Sequence, residues 1–115
     1  MKKYELTEET ITVNGSQKLY RIKALKDFGS VKAGDLGGFV ESEKNLSQKG
    51  NCWIYNSACV YDSAKISDFA IISGDARIFG DAIITDSAEI FGSAEIFGDV
   101  IILGDARIAG DAQIF

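Results

Sequence analysis

From residue 52 to the last residue, apolar and polar positions recur with a period of six. Read from Cys52, the chain divides into CWIYNS, ACVYDS, AKISDF, AIISGD, ARIFGD, AIITDS, AEIFGS, AEIFGD, VIILGD, ARIAGD and a truncated AQIF. The third column runs from Ile54 to Ile114 and is Ile throughout except for Val60, a set of β-branched residues suited to a strand with one buried face. The first column lies two residues away and shares that face; it is Ala apart from Cys52 and Val100, which implies a tight corner. The fifth column holds only Asn, Asp or Gly, the residues that tolerate positive φ, so the chain turns there. The sixth is Ser or Asp except at Phe69, and such side chains satisfy backbone groups within a turn. An amphipathic helix is excluded, because its apolar positions would recur at three and four residues and no breaker would stand in each unit.

These units resemble the hexapeptide repeat of left-handed parallel β-helices, in which an aliphatic residue is followed four positions later by a small one: Ile78 by Ala82, Ile84 by Ala88, Ile90 by Ala94. The resemblance covers residues 46–115. It implies an all-β fold: a left-handed parallel β-helix with three hexapeptides per coil and about four coils, its winding an exception to the right-handed crossover rule. Residues 1–45 do not repeat. There ITVNGSQKLYRIKAL predicts a hairpin turning at Asn14 and Gly15, and the whole segment reads as a β-rich N-terminal cap over the first coil's strand edges, within one folding unit. The stretch AGDLGGFVESEKNLSQKGNCWIYNSA resembles the cap-to-repeat junction of phage and prophage hexapeptide-repeat proteins. That likeness implies a phage-encoded accessory protein acting in a bacterial cytoplasm.

With eighteen residues per coil, side chains eighteen apart stack at about 4.8 Å. One face then presents Tyr61, Phe79, Phe97 and Phe115 outward as an aromatic ladder; the next presents Lys65, Ile83 and Ile101 beside Ser67, Thr85 and Leu103; the third presents Trp53, Ile71, Glu89 and Arg107. Two readings stand for the ladder: cross-strand stacking within the solenoid, or, together with Ile83, Ile101 and Leu103, an interface that a homodimer would bury.

Charge divides the chain unevenly. Residues 1–50 carry a balance of +2 and residues 51–115 a balance of −7, within a net −5. The acidic repeat argues against direct binding of nucleic acid, which needs clustered Lys and Arg. Asp75, Asp81, Asp99, Asp105 and Asp111 form acidic edges that either solubilise the corners or meet a basic protein groove. No run of apolar residues is long enough to span a membrane, no signal peptide opens the chain, and a cytoplasmic location with reduced Cys52 and Cys59 is expected.

The chain contains no histidine. Within the resembled family, acyltransferases use histidine as general base and carbonic anhydrases bind zinc through it, so the resemblance without that residue implies that the chain is not an enzyme. No catalytic residue, cofactor, metal or small-molecule substrate is expected. The function expected is a protein-binding module, a phage-encoded inhibitor of a host defence system, anti-CRISPR-like, that obstructs a nucleic-acid enzyme. Two alternatives accompany it: a structural phage protein stacking through the uncapped solenoid end, where the sequence stops inside a unit, and an inactive relative of the hexapeptide acyltransferases.

Overall fold

A computed structural model describes residues 2–115. Three long strands come first: β1 (Tyr4–Val13), β2 (Gln17–Ala24) and β3 (Leu36–Val40). Asn14 and Gly15 both have positive φ at the β1–β2 turn, which closes the predicted hairpin. Eleven two-residue strands follow at intervals of six: β4 (Trp53–Ile54), β5 (Cys59–Val60), β6 (Lys65–Ile66), β7 (Ile71–Ile72), β8 (Arg77–Ile78), β9 (Ile83–Ile84), β10 (Glu89–Ile90), β11 (Glu95–Ile96), β12 (Ile101–Ile102), β13 (Arg107–Ile108) and β14 (Gln113–Ile114).

Each short strand pairs in parallel with the strand eighteen residues on, which builds a β-solenoid of about four turns with three faces. One face is β4–β7–β10–β13 and another is β6–β9–β12. The third, β5–β8–β11–β14, continues through β3 into the hairpin, so the cap and this face form one seven-stranded sheet. The third-column Ile and first-column Ala side chains fill the axis and are fully buried from Ile54 to Ile96, while Ala106, Ile108, Ala112 and Ile114 in the last coil are half-buried. Turns fall where the sequence placed them, with positive φ throughout the fifth column from Asn56 to Gly110.

The first coil is longer than the rest. Val40 pairs with Val60 and Leu46 with Ile66, each twenty residues away, and the extra length lies between Leu46 and Ile54, at the corner of Gln48. The Gln48 side chain turns that corner into an anchor: its carbonyl oxygen accepts from the backbone N–H of Lys3 at 2.7 Å and of Tyr4 at 3.2 Å, and its amide donates to the Tyr4 carbonyl at 3.2 Å. Buried Asn45 joins coil to coil in a similar way, donating to the carbonyls of Asp62 and Ala64 while accepting from the backbone of Glu41 and Ser42. Close packing of β3 on the first coil depends on Gly37 and Gly38; a Cβ on Gly37 would stand 2.6 Å from the Ile54 carbonyl oxygen and 2.8 Å from the Trp53 ring.

Candidate functional site

The aromatic ladder forms. Tyr61, Phe79, Phe97 and Phe115 stack with ring centroids 5.0 Å apart at each step and planes within 12° of parallel. Its expected exposure holds only in part, because the hairpin lies over its beginning. Val13, Leu19 and Phe39 pack against Cys59 and Tyr61, leaving Tyr61 1% exposed, whereas Phe79 and Phe97 are half-buried and Phe115 is 80% exposed. Cys59, also placed outward by its column, is buried under the same hairpin. Trp53 meets a like correction on another face: Tyr4 and Phe28 close over it edge-on at 6.1 and 5.3 Å and bury it. The cap thus covers the first coil on two sides, and no periodicity in the repeat could announce it.

The face of β6, β9 and β12 changes character along its length. Near the cap it is polar, with Lys65 exposed and the Ser67 hydroxyl 3.0 Å from that of Thr85, which also lies 2.8 Å from a carboxylate oxygen of Asp68. Farther on it is apolar: Ile83, Ile101 and Leu103 are 37, 62 and 56% exposed. The face of β10 and β13 is screened differently, since Arg107 pairs with Glu89 at 3.2 Å and leans over the Phe91 ring at 5.8 Å.

All five edge carboxylates are exposed and have no ion-pair partner among the described residues. The eighteen-residue register distributes them over three corners, Asp75 with Asp111, Asp81 with Asp99, and Asp105 alone. Other acids have local work. Asp62 and Asp86 hold positive φ and accept from the backbone N–H of Gly80 and Gly104 in the next coil at 3.1 and 3.0 Å, as Asn56 does from Gly74.

Burial pushes the thiols of Cys52 and Cys59 up, and Arg77 beside Cys59 offsets only part of that. Burial likewise lowers Lys3 and raises Tyr4, whose hydroxyl donates to the Leu46 carbonyl at 2.5 Å. Among the described residues no cluster of acids and cysteines has the makings of a metal site, no cavity opens, and no helix is long and apolar enough to cross a membrane.

No family model matches the chain. A curated relative is 40% identical over 67 aligned residues, which cover 52% of this chain and 21% of the relative: an uncharacterised acetyltransferase, YdcK, of Escherichia coli (strain K12). The chain therefore spans about a fifth of the length of the curated relative it matches. This finding corrects the expectation that the chain is not an enzyme. That expectation rested on the missing histidine, but a solenoid stretch need not itself carry the reacting groups, and the relative it matches bears an enzyme's name. The hexapeptide-repeat β-solenoid is the ground common to the sequence pattern and the fold.

Proposed function

We propose that the chain forms solenoid structure of an acetyltransferase-like protein, and that it works as an assembly of copies joined through the face of Ile83, Ile101 and Leu103. The observation that carries this reading is the exposure of those three side chains side by side on a rigid parallel sheet. Apolar surface gains about 25 cal/mol per Å² on leaving water, and a second copy brings the same patch to be covered. Phe115, on the neighbouring face, extends the apolar area.

The acetyltransferase half of the proposal is supported by the relative's name. Acyl transfer needs a base to take the acceptor's proton and donors to receive the oxyanion. In this reading those groups are gathered where neighbouring copies meet, and each prism's part is to hold its neighbour's surface in place. Light scattering on the purified chain tests the assembly, and calorimetry with acetyl-coenzyme A tests the activity class. A defined oligomer that dissociates in Ile101→Glu is expected. A wild-type monomer at tens of micromolar would remove the first half, and no acetyl-coenzyme A binding by the assembled oligomer would remove the second.

The unpartnered corner carboxylates favour a second reading. Here a phage-encoded inhibitor, anti-CRISPR-like, presents Asp75, Asp81, Asp99, Asp105 and Asp111 to the basic channel of a host nucleic-acid enzyme in the bacterial cytoplasm. Affinity capture from infected bacteria checks it; recovery of no such enzyme counts against it.

A further inference from the structure

Where β1 begins, an amine and a thiol are buried against each other. Lys3 is 1% exposed, and its Nζ lies within reach of three acceptors: the carbonyl of Gly50 at 3.2 Å, the carbonyl of Cys52 at 2.8 Å and the Cys52 sulfur at 3.4 Å. The Phe28 ring closes the site 4.9 Å from Nζ. None of these partners is a carboxylate, so a cation here would lack a counter-charge, and burial favours the neutral, nucleophilic amine. The Cys52 sulfur is fully buried, with only long contacts of 3.7 to 3.9 Å to the carbonyls of Ser47, Lys49 and Ile66. Drawing nitrogen and sulfur closer than their present 3.4 Å, by less than an ångström, lets a single oxygen atom bridge them.

We propose that Lys3 Nζ and Cys52 Sγ form a covalent modification site at which one oxygen atom is captured as an S–O–N bridge. The oxidant is dioxygen, small and uncharged enough to enter a core closed to larger reagents. In the overall step the S–H bond of Cys52 and one N–H bond of Lys3 break, and an S–O and an O–N bond form. Sulfur and nitrogen each give up two electrons, and dioxygen takes all four. Its second oxygen leaves as water with the two released protons. The bridge ties the start of β1 to the corner of the first coil, so the oxidised chain closes a loop from residue 3 to residue 52 that the reduced chain leaves open.

Intact mass spectrometry of the full chain, held in air-saturated buffer or without oxygen, reads the reaction directly. A gain of about 14 Da in air alone is expected, one oxygen gained and two hydrogens lost, reversed by a thiol reductant. Peptide mapping should then join the peptide containing Lys3 to the one containing Cys52. Lys3→Arg and Cys52→Ala should each abolish the gain. The proposal is overturned if the wild-type chain keeps its mass in air, or if it gains only the roughly 16, 32 or 48 Da of sulfur oxidation and does so equally in Lys3→Arg.

Discussion

The ring of Tyr61 lies parallel to that of Phe79 at 5.0 Å and 5°, yet Tyr61 is buried and Phe79 only half so, because the hairpin ends its cover between them. The same ladder is therefore core at one end and surface at the other. Alanine substitution should follow that gradient: about 3 to 4 kcal/mol lost for Tyr61→Ala, about 1 to 2 for Phe97→Ala, and under about 0.5 for Phe115→Ala. Urea unfolding of the three variants measures it, and equal losses would mean that stacking outweighs burial.

The junction of cap and solenoid should be the least tolerant place in the chain. Gly37→Ala puts a methyl group against the Ile54 carbonyl and the Trp53 ring, where neither backbone nor core can recede. A loss of about 3 kcal/mol is expected. Gly15→Ala, at a turn with open space around it, provides the control: only the strain of positive φ, about 1 kcal/mol, applies there. Thermal melts that rank the two in the reverse order would refute this account.

The corner acids that hold positive φ should behave unlike those that do not. Asp86→Ala loses the bond to Gly104 N–H and keeps the unfavourable backbone, for about 1 to 2 kcal/mol, while Asp86→Asn retains both the acceptor and the tolerance and should be near neutral. Asp99→Ala, with no partner to lose, should change stability by less than about 0.5 kcal/mol. Chemical denaturation of the three resolves these values.

Alkaline pH should destabilise the fold. Cys52, Cys59, Tyr4, Tyr55 and Tyr61 are all raised, chiefly by burial, so the folded chain holds protons that the unfolded chain releases above about pH 8.5 for thiols and 10 for phenols. Their contribution is fully present below those values and is lost as pH rises through the folded ones. Lys3 works in the opposite sense, because its lowered amine sheds its desolvation penalty as pH climbs toward the unfolded value. Above about pH 8.5 two thiols oppose the one amine, and above about 10 the three phenols join them, so the net there is a fall. Unfolding free energies from about pH 8.5 to 10.5 should decline, and Cys52→Ser with Cys59→Ser should flatten the first part of that decline.

Much of the solenoid was legible because repetition isolates each constraint. Eleven third-column side chains from Ile54 to Ile114 announce one buried axis, and a turn-forming residue in every full unit announces the corners. What escaped lies where the period breaks. Val40 and Leu46 are spaced like core residues of the first coil, but the lengthened corner at Gln48 puts the next core position, Ile54, out of step. The burial of Tyr61, Cys59 and Trp53 depends on Val13, Leu19, Tyr4 and Phe28, residues brought near only by tertiary folding, and no local pattern encodes that distance. For the apolar face the columns placed Ile83, Ile101 and Leu103 correctly on the outside, while what those side chains meet is written in another surface.

Because every pairing beyond the first coil advances by eighteen, the molecule counts like an odometer. Excising residues 82–99 removes one storey and sets Phe115 directly on Phe79, so the column of rings survives, shorter by one. Excising only residues 82–87 turns everything downstream by a third of a revolution: Phe91 then stacks on Ser67, and Leu103 takes the place beside Phe79. Length can vary freely in whole storeys, whereas a shift of six residues keeps the core and rewrites every face.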